Sequence, residues 1–181
     1  MKNSILHSFA LCIKLVLLFS LVACDLTNPI NVGSQDYIPL AVGNQWEYTN
    51  VHTRFGRTPN GPYTASRSTY IKNEIIAAKR KSDTIDVFTM ASSYGSLNSL
   101  GFYDWSYDTT TIERTPSTIY DLPRTGKDSI LTITIYPGPG YAKYKKGVGR
   151  IESQTSGSFH ITAGNQGDYT SRTVLTKYTV K

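Results

Sequence analysis

The segment Phe102-Tyr-Asp-Trp-Ser-Tyr107 carries the residue types and spacing best suited to hold a ligand. On an extended chain Tyr103, Trp105 and Tyr107 fall on one face, with Asp104 and Ser106 on the other. A row of rings can stack against sugars or wall an apolar pocket. It can equally be one row of a hydrophobic core, the commoner fate of aromatic strand residues, and the sequence is read that way, with Trp105 mostly buried. Tyr103, Trp105 and Tyr107 stand as the candidate ligand-binding residues. Tyr94 and two loop tyrosines, Tyr141 and Tyr144, extend a partly exposed aromatic rim, and Asn98 is a polar neighbour able to orient what binds.

Other chemistry is sparse. Asp104 and Asp108 share a strand face about 13 Å apart, too far for a tight acid–base pair. Outside the N-terminal segment the histidines are His52 and His160, far apart and in no HxH or HExxH pattern, so no metal or other cofactor is expected. There is no G-x-S-x-G elbow. The chain therefore reads as non-catalytic, with an envelope hydrolase built from carboxylates distant in sequence as the remaining alternative. Basic residues gather at Lys79-Arg80-Lys81 and at Lys143, Lys145, Lys146 and Arg150, runs that read first as solvated loop tips and otherwise as contacts for phospholipid, lipopolysaccharide or acidic glycan.

The elements that must position these residues follow from composition. Of 181 residues, 39% are hydrophobic, 12% aromatic and 18% charged. That is too apolar for disorder, and the continuous apolar runs are too few for a polytopic membrane protein. Thirteen tyrosines against two methionines suit pleated surfaces rather than long helices. The formal charge of +6 would suit a nucleic-acid partner in the cytosol. The N-terminus argues for export instead, and no nucleic acid is expected.

Lys2 followed by a mostly apolar run from Ile5 to Val22 has the layout of a secretory signal, interrupted by Lys14. The run closes on Leu21-Val22-Ala23-Cys24, which resembles the bacterial lipobox. That resemblance implies cleavage after residue 23, with Cys24 acylated as the first mature residue. Cleavage would remove Lys2, Lys14 and no acid, lowering the charge from +6 to +4. Cys12 would leave with the signal and Cys24 would carry lipid, so no thiol remains for a disulfide, a metal or a nucleophile. Residues 25–36 are polar and aperiodic and read as a tether. With the acyl chains these features predict a protein anchored to a membrane of the envelope, most simply the outer membrane facing the periplasm.

Within the mature chain, residues 37–181 read as one all-β domain of about eight antiparallel strands forming a curved sheet, barrel or sandwich. The expected strands are 45–54, 67–78, 84–93, 102–114, 129–136, 145–153, 158–162 and 169–180. Leu131, Ile133 and Ile135 alternate with Thr132 and Thr134, and Val174, Tyr178 and Val180 are assigned one face with Lys177 and Thr179 on the other. Residues 79–83 read as a charged hairpin tip and 137–140 as a loop. Trp46 and Tyr48 share a face and read as core, while Gly147 and Gly149 mark a bulge or a close backbone approach.

Tyr37-Ile-Pro-Leu-Ala-Val-Gly-Asn-Gln-Trp-Glu-Tyr48 resembles the opening of a group of small β-rich lipoproteins of Gram-negative bacteria. Lys146-Gly-Val-Gly-Arg-Ile-Glu-Ser153 and the closing Leu175-Thr-Lys-Tyr-Thr-Val180 are similar to the later part of that pattern. The resemblance implies a β fold and an envelope location, without an activity. What is expected is an envelope binding or interaction module, its partner a hydrophobic molecule, a glycan or a protein.

Overall fold

Branched and aromatic residues alternating with polar ones, without an apolar stripe of helical period, leave the pleated strand as the element that buries one side of each segment. The computed structural model describes residues 35–58, 60–98, 100–135, 138–162 and 165–181, without the side chains of 160–162 and 165–166. The expected signal segment, Cys24 and the tether through residue 34 lie outside the described residues. So do the side chain of His160 and residues 136–137.

The fold is all-β, a single antiparallel sheet curved into a half-barrel. Its strands are β1 (Gln45–Thr58), β2 (Gly61–Ser82), β3 (Ile85–Leu97), β4 (Tyr103–Arg114), β5 (Thr118–Ile119), β6 (Leu122–Pro123), β7 (Ile130–Thr134), β8 (Gly140–Lys145), β9 (Gly149–Thr162) and β10 (Asn165–Thr179). The order across the sheet is β6-β5-β4-β3-β2-β1-β10-β9-β8-β7. All neighbours except β1 and β10 are consecutive, so the sheet is two meanders joined where the first strand meets the last.

Topology forces the curvature. The chain passes from β6 at one edge to β7 at the other through residues 124–129 alone, a span of at most about 25 Å. A flat sheet of this order would separate its edges by about 43 Å. The sheet must curl until the edges approach.

The segment before β1 fills one end of the curl. Tyr37 N–H donates to the Arg124 carbonyl beyond β6 at 2.9 Å, and Gly147 N–H, from the β8–β9 turn, donates to the Asp36 carbonyl at 2.9 Å. Leu40 between them is fully buried. Asp36, expected at the end of the tether, is likewise buried, with its carboxylate 2.7 Å from Arg124 Nε and 3.8 Å from an Arg114 guanidinium nitrogen. The core gathers at this end around Phe88, Ile75, Ile112 and Ile119.

Two motifs that resemble one lipoprotein pattern meet here. Trp46, 4% exposed, donates its indole N–H to the Val148 carbonyl. Gly149, at φ +104°, lies against the same indole, and a Cβ there would come within 2.9 Å of Nε1. The close approach expected for this glycine is to Trp46.

Several expected boundaries move. Residues 79–82 belong to β2, so the hairpin tip is only residues 83–84. The expected strand 145–153 straddles the β8–β9 turn, and the one over 158–162 is the far end of β9. Strand β8 was read as loop because Gly-Tyr-Ala-Lys-Tyr-Lys has no apolar alternation; Ala142 and Tyr144 alone give it an inner side. The face assignment in β10 also changes. Tyr178 pairs with Trp46 and Leu175 with Tyr48, while Val174 pairs with Thr49 on the opposite face. A bulge between these pairs adds one residue, which inverts the facing of everything before it.

Candidate functional site

Register assigns each aromatic to a face. Tyr48, Ile71, Tyr94 and Ser106 lie opposite one another across β1 to β4, and Gly95 lies opposite Trp105 one residue on. Trp46 and Tyr48 point into the curl, so Tyr103, Trp105 and Tyr107 point out of it. They are 54%, 45% and 79% exposed. The expectation that Trp105 is mostly buried is therefore wrong: the row occupies the convex face, where no second layer covers it among the described residues.

The row is nevertheless ordered by its neighbours. Trp105 lies over Gly95, where a Cβ would meet its ring at 2.9 Å. The edge of the indole meets Tyr70 with centroids 5.9 Å apart and planes at 84°, and Tyr103 stands 5.9 Å away at 33°. An open groove beside Tyr107 is floored by Ala91 and Ser93 and edged by Lys72 and Glu74. Asn98 does not line the row. Its Oδ1 accepts from the backbone N–H groups of Leu100 and Phe102 and its amide donates to Asp104, fixing the hairpin tip.

The expected aromatic rim is divided rather than assembled. Tyr94 faces inward, Tyr141 donates to Glu152 on the outside of β8, and Tyr144 lines the inside. Both Tyr141 and Tyr144 are strand residues, not loop residues. The basic runs disperse in the same way. Arg80 pairs with Asp86, Lys81 with Glu113 and Lys143 with Glu152. Lys146 donates to the carbonyls of Gly126 and Lys127. Arg150 alone of the second run enters the curl.

Inside the half-barrel lies a cavity of about 530 Å³. Its walls come from elements at opposite ends of the sheet: Met90 of β3, Ile112 of β4, Leu122 of β6, Ile133 of β7 and Ala142 of β8. Leu40 and Trp46 border the closed end. Polar groups are few: the hydroxyls of Tyr48, Tyr120 and Tyr144, the amide of Asn73, Thr134, Ser153 and the Arg150 guanidinium. Asn73 Oδ1 is buried without a hydrogen-bond partner among the described residues. Burial pushes the Tyr48 hydroxyl up to about 12 against the opposing charge of Arg150 and raises Tyr120 and Tyr144 as well. All three stay protonated at neutral pH and can donate.

Arg150 stands over the Tyr48 ring at 4.9 Å, a cation–π contact. Among the described residues no acid, histidine or cysteine lines the cavity. His52 sits farther along β1, 5.4 Å from the Tyr169 ring and accepting from Arg54 Nε at 3.1 Å. Among the described residues no group of three or more metal-binding side chains occurs, and no helix is long and apolar enough to cross a membrane.

Sequence reasoning missed this cavity because its walls are spread over most of the chain. The alternation at Leu131, Ile133 and Ile135 was a signal for one wall. Nothing local placed it opposite Met90 and Ile112. No family model, no curated protein and no solved structure matches the chain.

Proposed function

We propose that this chain is a lipid-anchored, non-catalytic protein of the bacterial cell envelope, held through Cys24 at the periplasmic face of the outer membrane, whose half-barrel binds a small hydrophobic molecule. The inner cavity carries the reading. Its volume falls within the roughly 300–1,000 Å³ common to small-molecule sites, and its lining is mostly apolar with a few convergent polar groups.

Filling the space tests it. Ala142, 5% exposed, borders the cavity, and Ala142→Phe puts a ring where the molecule would lie. A hydrophobic fluorophore added to the 25–181 fragment should brighten with the wild type and fail to do so with Ala142→Phe, provided both give the same β-sheet circular dichroism. Equal brightening would place the fluorophore elsewhere and remove the cavity reading.

A second reading rests on a separate observation, the exposed outer row of Tyr103, Trp105 and Tyr107. Rings fixed on a convex face beside polar side chains suit the flat faces of sugars, so an envelope glycan is its natural partner.

A further inference from the structure

The inner cavity is apolar over most of its wall yet holds one full charge. Arg150 is the sole ionised side chain lining it, and no carboxylate lies within ion-pair distance of that guanidinium among the described residues. Its neighbours on the sheet show the contrast. Lys143 and Arg172 are both paired with Glu152 on the outer face. Arg150 turns inward, where its contact is the face of Tyr48.

Arg150 is half-buried on the apolar wall of this open cavity, and a guanidinium there is stabilised when an anion meets its fork of N–H donors, since charge-assisted bonds strengthen as a ligand displaces water. Arg150 is held against the Tyr48 ring and shares a side-chain hydrogen bond with it, and the five N–H donors of a guanidinium leave others for an anion. The hydroxyls of Tyr48 and Tyr144 are further donors beside it, because Tyr144 pairs directly with Arg150 across β8 and β9.

We infer that the cavity selects an amphiphile with a single carboxylate head and one apolar chain, the carboxylate bound by Arg150 and the chain lying along Met90, Ile112 and Ile133. This rests on the cavity reading above and names its ligand class. A carboxylate is favoured over a phosphate monoester because one guanidinium balances one charge, whereas a phosphate monoester brings nearly two. A single chain is favoured because the same 530 Å³ must hold head and tail together.

The test uses the purified full chain in nanodiscs and three photoreactive probes with the same diazirine-bearing ten-carbon chain: the carboxylic acid, the alcohol and the phosphate monoester. Adducts are mapped to peptides by mass spectrometry. At pH 7.5 the acid should label the peptides holding Met90, Ile112 or Ile133 at least tenfold more than the alcohol does. Arg150→Met, which keeps an apolar stem and removes the guanidinium, should reduce acid labelling to the alcohol's level without changing the latter. If no probe labels those peptides, the cavity reading itself falls. Equal labelling by acid and alcohol in the wild type leaves the cavity standing and overturns the carboxylate inference, as does phosphate labelling above that of the acid. Should Arg150→Met lose alcohol labelling as well, Arg150→Gln replaces it, and retention of the acid preference in either variant overturns the role of Arg150.

Discussion

At the scale of single residues, charge is handled in two ways. In the closed end Arg114 is 4% exposed and donates to Asp86 at 2.8 Å, lies 3.8 Å from Asp36 and stands over the Phe88 ring at 5.1 Å. Such a buried cluster tolerates no half measures, because removing one partner strands the other in a medium that cannot solvate it. Burial works against the Asp86 carboxylate, but hydrogen bonds from Arg114 and Arg80 outweigh it and hold its pKa below the ordinary 3.8. A lowered folded value makes its contribution full above the unfolded value and lost as pH falls through the folded one. Asp86→Asn should therefore be less stable than the wild type at pH 7, with the gap narrowing below about pH 4; denaturant titrations at several pH values would show it, and a gap independent of pH would mean that charge is irrelevant there. Trp46 depends on shape as well as charge. With its ring buried and its N–H spent on Val148, Trp46→Ala should cost about 3–5 kcal/mol in thermal unfolding. An unchanged midpoint would break the link between the two lipoprotein-like motifs.

Elements decide which way a side chain faces, and here the outer row gives the sharpest test. Trp105 loses its contacts with Gly95 and Tyr70 on truncation but leaves no internal cavity, so Trp105→Ala should cost about 1 kcal/mol rather than several. Melting of the 25–181 fragment measures it, and retention on peptidoglycan or lipopolysaccharide columns reads the glycan proposal in the same variant. A large loss of stability would return the row to the core. Alternation along 102–107 correctly put the three rings on one face. It could not say which face, because a strand's two sides become inner and outer only when the sheet curls, and the curl is set by residues 124–129 joining opposite edges. The bulge in β10 was hidden for a related reason: an inserted residue leaves composition unchanged while inverting a face. Strands β5 and β6 were missed as well, being two residues each around Tyr120-Asp121, where both residues take positive φ (53° and 57°) without the glycine that would have advertised the turn. By contrast the cores of β1 to β4 and the Gly149 approach were written in local chemistry and were readable.

The whole molecule combines an open half-barrel with a leader that resembles a lipoprotein signal, and the two make sense together. Among the described residues no helix is long and apolar enough to cross a membrane, and the attachment proposed is through the acyl chains of Cys24. A buried methylene contributes about 0.8 kcal/mol, and one chain alone binds a bilayer marginally, so the proposed anchor would need several chains on one residue to hold durably. The half-barrel starts by residue 36, which is already packed against Arg124, leaving about eleven residues as tether and a reach on the order of 40 Å from the bilayer. Under the proposed function, a binding site on so short a leash would sample molecules that leave or enter the membrane surface. Cys24→Ser removes every chain at once while leaving the residues of the half-barrel untouched. Cells fed an alkyne fatty acid should label the wild type and not the variant, and the wild type should sediment with membranes while the variant is released or remains unprocessed. Equal labelling of the two would dismiss acylation at Cys24. Equal sedimentation without label in the variant would mean that some other part of the chain holds the membrane, and the exposed row at Tyr103, Trp105 and Tyr107 would then be the surface to examine first.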